Sequence, residues 1–171
     1  MPSGKVHDRI TLAAAAVSVP TWWFVAIDHK AWSVGAALVG GILFSGMMLS
    51  PDLDLDSAIY RRWGPLRFLW WPYMRLVPHR SWVSHSWLAG PILRVGYFLL
   101  VLWLFAHGIL FAATRFTDLV PHVPIRNPVQ LVRELWQHFP DQSTFAIIGI
   151  LIGTGLHTGA DAIVTGIKKA F

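Results

Sequence analysis

Long apolar runs alternate with short polar segments along this chain. No residue is charged from Ile10 to Ile27, from Ala31 to Leu49, or from Val95 to Thr114. A helix needs roughly 20 mainly apolar residues to cross a bilayer, so each run is about long enough to span one. A fourth run, residues 143–165, carries a single charged residue, Asp161. Pro20 is tolerated inside the first run because neighbouring membrane helices can satisfy the carbonyl it frees. Gly35, Gly40, Gly41 and Gly46 thin the second run so that another backbone can approach, and Pro51 ends it. Arg94 stands at the near end of the third run, where a long side chain reaches the head groups. The pattern predicts an all-α, polytopic helical membrane protein. It forms a single domain over residues 1–171, with about four transmembrane helices near 10–27, 31–49, 95–114 and 143–165, plus short interfacial helices.

The remaining segments differ in kind. Between Arg115 and Asp141 four prolines interrupt the chain, and only Asn127 to His138 has a helical pattern, with Val129, Leu131, Val132 and Trp136 as its apolar positions. This predicts a short amphipathic helix on the far membrane face. The stretch from Trp63 to Tyr73 interleaves aromatic residues with Arg67 and reads as an interfacial aromatic belt. A cleavable signal peptide is the competing interpretation of the first run, given the small residues Ala16 and Ser18, and its removal would discard His7.

Composition agrees with a membrane setting. Charged residues are 13% of the chain, about half the share usual in soluble domains, and the mean hydropathy is +0.50. The absence of cysteine excludes disulfides and thiolate metal sites. A net charge of +5 would suit nucleic acid or anionic lipid, and its placement favours lipid, since no basic soluble module is present. With four spans and a cytoplasmic amino terminus, Lys5, Arg9, Arg61, Arg62, Arg67, Arg75, Arg80, Lys168 and Lys169 share one side. Lys30, Arg115, Arg126 and Arg133 take the other. The positive-inside tendency then puts both termini in the cytoplasm, as expected for a multi-pass protein of a bacterial inner membrane.

That topology gathers the candidate chemistry at one face. His7 lies before the first span, Asp52, Asp54 and Asp56 after the second, and His79 and His85 before the third, within a segment running over residues 50–86. His157 and Asp161, four apart, project from one side of the last helix. An ionisable pair inside a spanning helix is costly and is by default functional. Imidazole with carboxylate and no thiolate suits zinc, manganese or iron(II), as one or two ions, and the several carboxylates favour two, with bridging oxygens sharing the charge. Such a centre lowers the pKa of bound water and polarises the bond under attack. Arg80 offers a planar fork to a phosphate oxygen, and Asp56 is a candidate base. Ser84 and Ser86 are candidates for orienting ligands.

Each residue also has a plainer role. The Asp-x-Asp-x-Asp stretch after Pro51 would serve as a solvated loop or a helix cap. His79 and His85 would sit at the interface, and His7 on the surface. His157 and Asp161 would form a structural hydrogen bond between packed helices. His29, His122 and His138 map to the opposite face and carry no assigned chemistry, while His107, well inside the third span, reads as a packing histidine.

The residues at 2–11 (Pro-Ser-Gly-Lys-Val-His-Asp-Arg-Ile-Thr), Ser50-Pro51-Asp52-Leu53-Asp54, Arg61 to Arg67 and His79 to His85 resemble a bacterial family of uncharacterised metal-binding membrane proteins. More distantly, the order His, Pro-Asp-x-Asp, His-Arg with a later His, then His-x-x-x-Asp is similar to YdjM-like membrane-bound metal-dependent hydrolases, and through them to zinc-dependent phospholipase C. The resemblance implies metal ligation at His7, Asp52, Asp54, His79, His85, His157 and Asp161, and leaves Asp56 outside the pattern. The function expected on these grounds is hydrolysis of a phosphoester in a lipid or lipid-linked substrate. The alternative is non-catalytic metal binding or metal transport.

Overall fold

Two helices that meet backbone to backbone set the frame. The second apolar run folds as α2, Trp32–Met47, and the last as α8, Pro140–Ala170. Their approach is close because glycines line both sides of the contact. A Cβ on Gly41 would run into the Ala146 carbonyl, one on Gly149 into the Leu38 carbonyl, and one on Gly153 would lie 2.7 Å from the Ile42 carbonyl. Small residues permit this approach, which brings backbone dipoles and van der Waals surface together where apolar burial alone gives little drive. Ser45 reinforces it by donating to the Ile150 carbonyl at 2.9 Å and meeting the Thr154 hydroxyl at 2.8 Å. Gly40, expected to share this role, faces open space.

The computed structural model describes residues 3–25, 31–78, 81–116 and 127–170, and these are helices and turns with no strand. The other elements are α1 (Gly4–Val25), α3 (Ala58–Arg62), α4 (Trp71–Leu76), α5 (Trp82–His85), α6 (Ala89–Phe116) and α7 (Pro128–His138). Pro51–Asp54 and Gly64–Trp70 form 3-10 turns. The pairings fix direction. Thr11 meets Gly46 while Trp22 meets Gly35, so α1 runs antiparallel to α2. Ser45 meets Thr154 and Ser50 meets His157, so α2 and α8 run parallel. The beginnings of α1 and α6 therefore lie at the same end as the close of α2 and the later part of α8.

Among the described residues, three stretches are long and apolar enough to cross a membrane, Trp32–Asp54, Ala89–Arg115 and Pro140–Ile167, which contain three of the four expected spans. The first run is helical as α1, which is described as far as Val25 and carries Lys5, Asp8 and Arg9 in its opening turns. The third run begins at Ala89 rather than Val95.

Segment 50–86 is a packed layer rather than an open loop. Leu49, Leu53, Ile59, Trp70 and Tyr73 are buried together, with Phe44, Trp63, Tyr97 and Phe98 against them. Trp70 stacks on Phe98 at 6.0 Å. The expected aromatic belt is thus divided, since Trp70 and Tyr73 are core while Phe68 and Trp71 remain exposed. Arg62 ties this layer to the bundle by donating to the Met47 carbonyl and to Asp8. The amphipathic helix forms as α7, opened by a reciprocal cap between Asn127 and Gln130. Its apolar residues Val129, Leu131, Val132 and Trp136 are exposed. His29, Lys30, Pro121, His122, Pro124 and Arg126 lie outside the described residues.

Gly149→Val tests the crossing. Overpacking of this kind costs about 1–3 kcal/mol, so the melting temperature in detergent should fall, whereas Gly40→Val should leave it nearly unchanged. Equal behaviour of the two variants would show that the glycine contact does not hold the frame.

Candidate metal centre

The parallel α2 and α8 deliver their donors to one place. Pro51 stops α2, and the 3-10 turn that follows points Asp52 and Asp54 inward. His157 and Asp161 share a face of α8, and His7 enters from the first turns of α1. His85 comes from α5, a single turn capped by Ser81, whose hydroxyl accepts from the Ser84 amide at 3.1 Å. His7, His157 and Asp161 form one triad with donor atoms within 4.8 Å of one another, and Asp52, His85 and Asp161 form a second. Asp161 belongs to both.

The distances inside the centre are those of groups sharing a space. His7 Nε2 lies 3.3 Å from Asp161 Oδ1, and His157 Nε2 lies 3.5 Å from Asp52 Oδ2 and 3.6 Å from Asp161 Oδ2. Direct charge-assisted hydrogen bonds are about 2.7–2.9 Å. The rings of His7 and His157 stack with centroids 3.8 Å apart. His7 Nδ1, Asp52 Oδ1 and both Asp161 oxygens are buried without a hydrogen-bond partner among the described residues. An orphaned carboxylate oxygen is expensive to bury. Nitrogen and oxygen donors arranged this way, with no thiolate, fit a hard or borderline divalent ion.

Neighbouring hydroxyls orient two of the rings. The Ser84 hydroxyl lies 3.2 Å from the Ser81 carbonyl and 2.9 Å from Nδ1 of His85; when its proton goes to the carbonyl, Nδ1 donates to the hydroxyl oxygen and Nε2 carries the lone pair. Ser50, fully buried, stands 3.0 Å from Nδ1 of His157 and directs Nε2 of that ring toward the carboxylates. Burial, aided by the neighbouring His157, holds the His7 imidazole below its ordinary pKa despite the pull of Asp161 and Asp52. The ring is neutral near pH 7, the form that ligates metal.

Burial is uneven across the centre. His7, His157 and Asp161 are buried, whereas Asp52 and His85 are partly exposed. His85 borders an open groove of about 710 Å³ along α8, lined also by Trp87, Leu151, Ile152, Leu156 and Thr158.

The structure thus brings His7, Asp52, His85, His157 and Asp161 together. Asp54 is buried in the same turn as Asp52 but belongs to neither triad. Asp56 does not join them. It lies on the surface, bound through both oxygens to Arg61 at 3.0 Å, and that hydrogen bond holds its carboxyl below the usual range. The alternation of the aspartates suggested one shared role, but the 3-10 turn ends at Asp54 and turns the next aspartate outward. A carboxylate so paired is a poor base. His79 and Arg80 lie outside the described residues. His107 bonds the Trp103 carbonyl one turn back, as a packing histidine does, and His138 bonds that of Glu134 on the exposed α7.

Sequence reasoning missed Ser50 and Arg94. Ser50 was visible only as the residue before Pro51. Arg94 was expected at the head groups and is instead fully buried, donating to the Ser84 carbonyl at 2.8 Å.

A family model described as "Uncharacterized metal-binding protein (DUF2227)" matches residues 2–171. An uncharacterised protein of Aquifex aeolicus (strain VF5) is 38% identical over 58 residues, which are 33% of this chain and 40% of that protein. The chain therefore spans well under half the length of that curated relative. No solved structure matches the chain.

Two outcomes follow from this geometry. Protonation competes with metal at imidazole, so metal retained through dialysis at about pH 7.5 should be lost near pH 5; retention that is flat across this range would speak against histidine ligation. Asp161→Ala should abolish retention while Asp56→Asn leaves it intact, as measured by elemental analysis of purified protein.

Proposed function

The chain belongs to that family of metal-binding proteins, and from this premise we propose that it is a membrane-bound metal-dependent hydrolase acting on a phosphoester in a lipid or lipid-linked substrate. The observation that carries the proposal is the uneven burial of the donors. A structural metal site closes its coordination shell with protein ligands, whereas a catalytic one keeps a side open. Here the inner donors are sealed, whereas Asp52 and His85 are partly exposed and His85 borders an open groove. The order of motifs, which distantly resembles that of YdjM-like hydrolases, directs the reading toward hydrolysis.

In this scheme His7, His157 and Asp161 hold a divalent ion from within, and Asp52 and His85 hold it from the open side, with His79 as a further donor and Asp54 supplying negative charge beside them. Zinc is preferred, with manganese or iron(II) as alternatives. When bound, the ion supplies Lewis acidity and lowers the pKa of coordinated water. Ser50 and Ser84 fix the ring orientations of His157 and His85, so the donor set is preorganised. Arg80 receives a phosphoryl oxygen on its planar fork. The exposed Arg61, Arg67 and Arg75 draw an anionic head group toward the centre.

The proposal places α1 as a fourth crossing beside α2, with both termini in the cytoplasm of a bacterial cell. In that arrangement the centre sits at the inner face of the membrane. A transporter would place its donors near the midplane, with access from both sides. Non-catalytic metal binding is the second reading, favoured by the burial of His7, His157 and Asp161.

The deciding experiment is elemental analysis of detergent-purified protein beside His85→Ala, followed by a screen of phosphoesters and phospholipids with added zinc, manganese or iron(II). The hydrolase reading expects bound metal, its loss in the variant, and turnover by the wild type alone. Bound metal without turnover on any substrate in the screen would favour the second reading. A reporter fused after Phe171 should read as cytoplasmic, and a periplasmic signal would overturn the topology.

A further inference from the structure

Arg94 presents an unusual electrostatic situation. Among the described residues it is the one buried arginine or lysine, and it is completely shielded from solvent. It lies in the first turns of α6, one of the stretches apolar enough to span a membrane, where an unpaired cation is strongly disfavoured. A long side chain here would ordinarily extend to the interface.

Instead it folds back over its own helix. Gly90, one turn earlier, leaves the room, since a Cβ there would lie 2.8 Å from the Ser84 carbonyl and 3.1 Å from Nη1 of Arg94. Nη1 donates to the Ser84 carbonyl at 2.8 Å, and Nη2 reaches the Thr154 hydroxyl at 3.5 Å.

Each neighbour of the guanidinium is one step from a donor of the centre. Ser84 orients His85, and Thr154 lies three residues before His157 on α8. Asp54, buried in the turn beside the centre, and Asp52 are the carboxylates whose negative charge acts on it. The Tyr73 hydroxyl is also beside it, but burial raises the pKa of that phenol, so the phenol is neutral and carries no counter-charge.

The charges can then be counted over the described residues. Three carboxylates surround the centre, those of Asp52, Asp54 and Asp161, and its three histidines ligate as neutral rings. Arg94 offsets one carboxylate. Two negative charges remain, the charge that one divalent ion neutralises. A second such ion would leave two positive charges in a region poor in water, at a large desolvation cost.

We propose that Arg94 is the internal counter-charge and positioning residue of the centre, and that by offsetting one carboxylate it sets the site to take a single divalent ion. The inference rests on the metal-binding reading and is independent of whether the protein hydrolyses anything. Arg94 touches no substrate in this scheme. It acts through Ser84, Thr154 and the aspartate turn.

The test uses the full chain in detergent with cobalt(II) as the probe, read by equilibrium dialysis and by the visible absorption of the bound ion. Wild type should take up one cobalt per chain, and two ions of similar affinity would overturn the charge argument. Arg94→Lys keeps the charge but loses the fork. It should still bind one ion, with about tenfold weaker affinity and a shifted spectrum, the size of effect seen when groups that orient ligands are altered; an unchanged affinity and spectrum would remove the positioning role. Asp54→Asn alone should weaken binding by about tenfold, and Arg94→Met combined with Asp54→Asn, which removes a cation and an anion together, should recover most of that loss. A double variant no better than the single would make Asp54 a ligand and end the counter-charge assignment. Wild type that binds no metal at all would instead sink the metal-binding reading itself.

Discussion

The contact between α2 and α8 is the constraint on which the rest depends. Because glycines at 41, 149 and 153 let the two backbones touch, the helices stay in register over several turns, held by Ser45 at Ile150 and Thr154. That register decides what happens one turn further on. Ser50 arrives at His157, and Asp52 arrives between His157 and Asp161. The parallel course of the two helices matters equally, since an antiparallel pair would carry the Pro-Asp-Leu-Asp turn to the wrong end of α8. The chemistry at the end of the bundle is therefore a product of packing far from it.

Around that frame the chain concentrates its buried polarity at one place. Elsewhere the charged residues pair on the surface, as Asp56 does with Arg61 and Asp8 with Arg62. Such exposed pairs contribute little to stability. The buried groups are another matter, because in a low-dielectric surrounding each must find a partner or remain a liability. Carboxylate oxygens without hydrogen bonds among the described residues, stacked imidazoles and a sealed guanidinium make sense together only as parts of one electrostatic unit. Taken singly, each would be a defect in the packing.

Much of this was legible in the sequence. The apolar runs predicted the long helices, the Asn127 segment predicted the amphipathic one, and the spacing of His157 and Asp161 placed them on one face. Convergence of the donors followed from folding the runs back on themselves. What could not be read was direction at the level of a single side chain. Arg94 occupies a position where an arginine ordinarily reaches outward, and only Gly90 and the Ser84 carbonyl, contributed by a turn that sequence alone does not locate, draw it inward. Asp56 shared the alternation of its neighbours but not their turn. The aromatic residues from Trp63 to Tyr73 looked uniform, yet the 3-10 turn rotates Trp70 into the core and leaves Trp71 outside. The first run folds as a helix of 22 residues, long enough to cross a bilayer, with Lys5, Asp8 and Arg9 in its opening turns.

The order in which the donors occur along the chain has its own consequence. His7 comes from α1 and Asp161 from α8, yet the two lie 3.3 Å apart. His7 is made long before Asp161, so the triad is complete only when the last helix has been made and seated against α2. An incomplete or misinserted chain cannot close the triad, so the capacity to hold an ion becomes a readout of finished assembly. Once an ion is held there, it fastens α1 to α8 and makes their separation cost the binding energy as well as the packing.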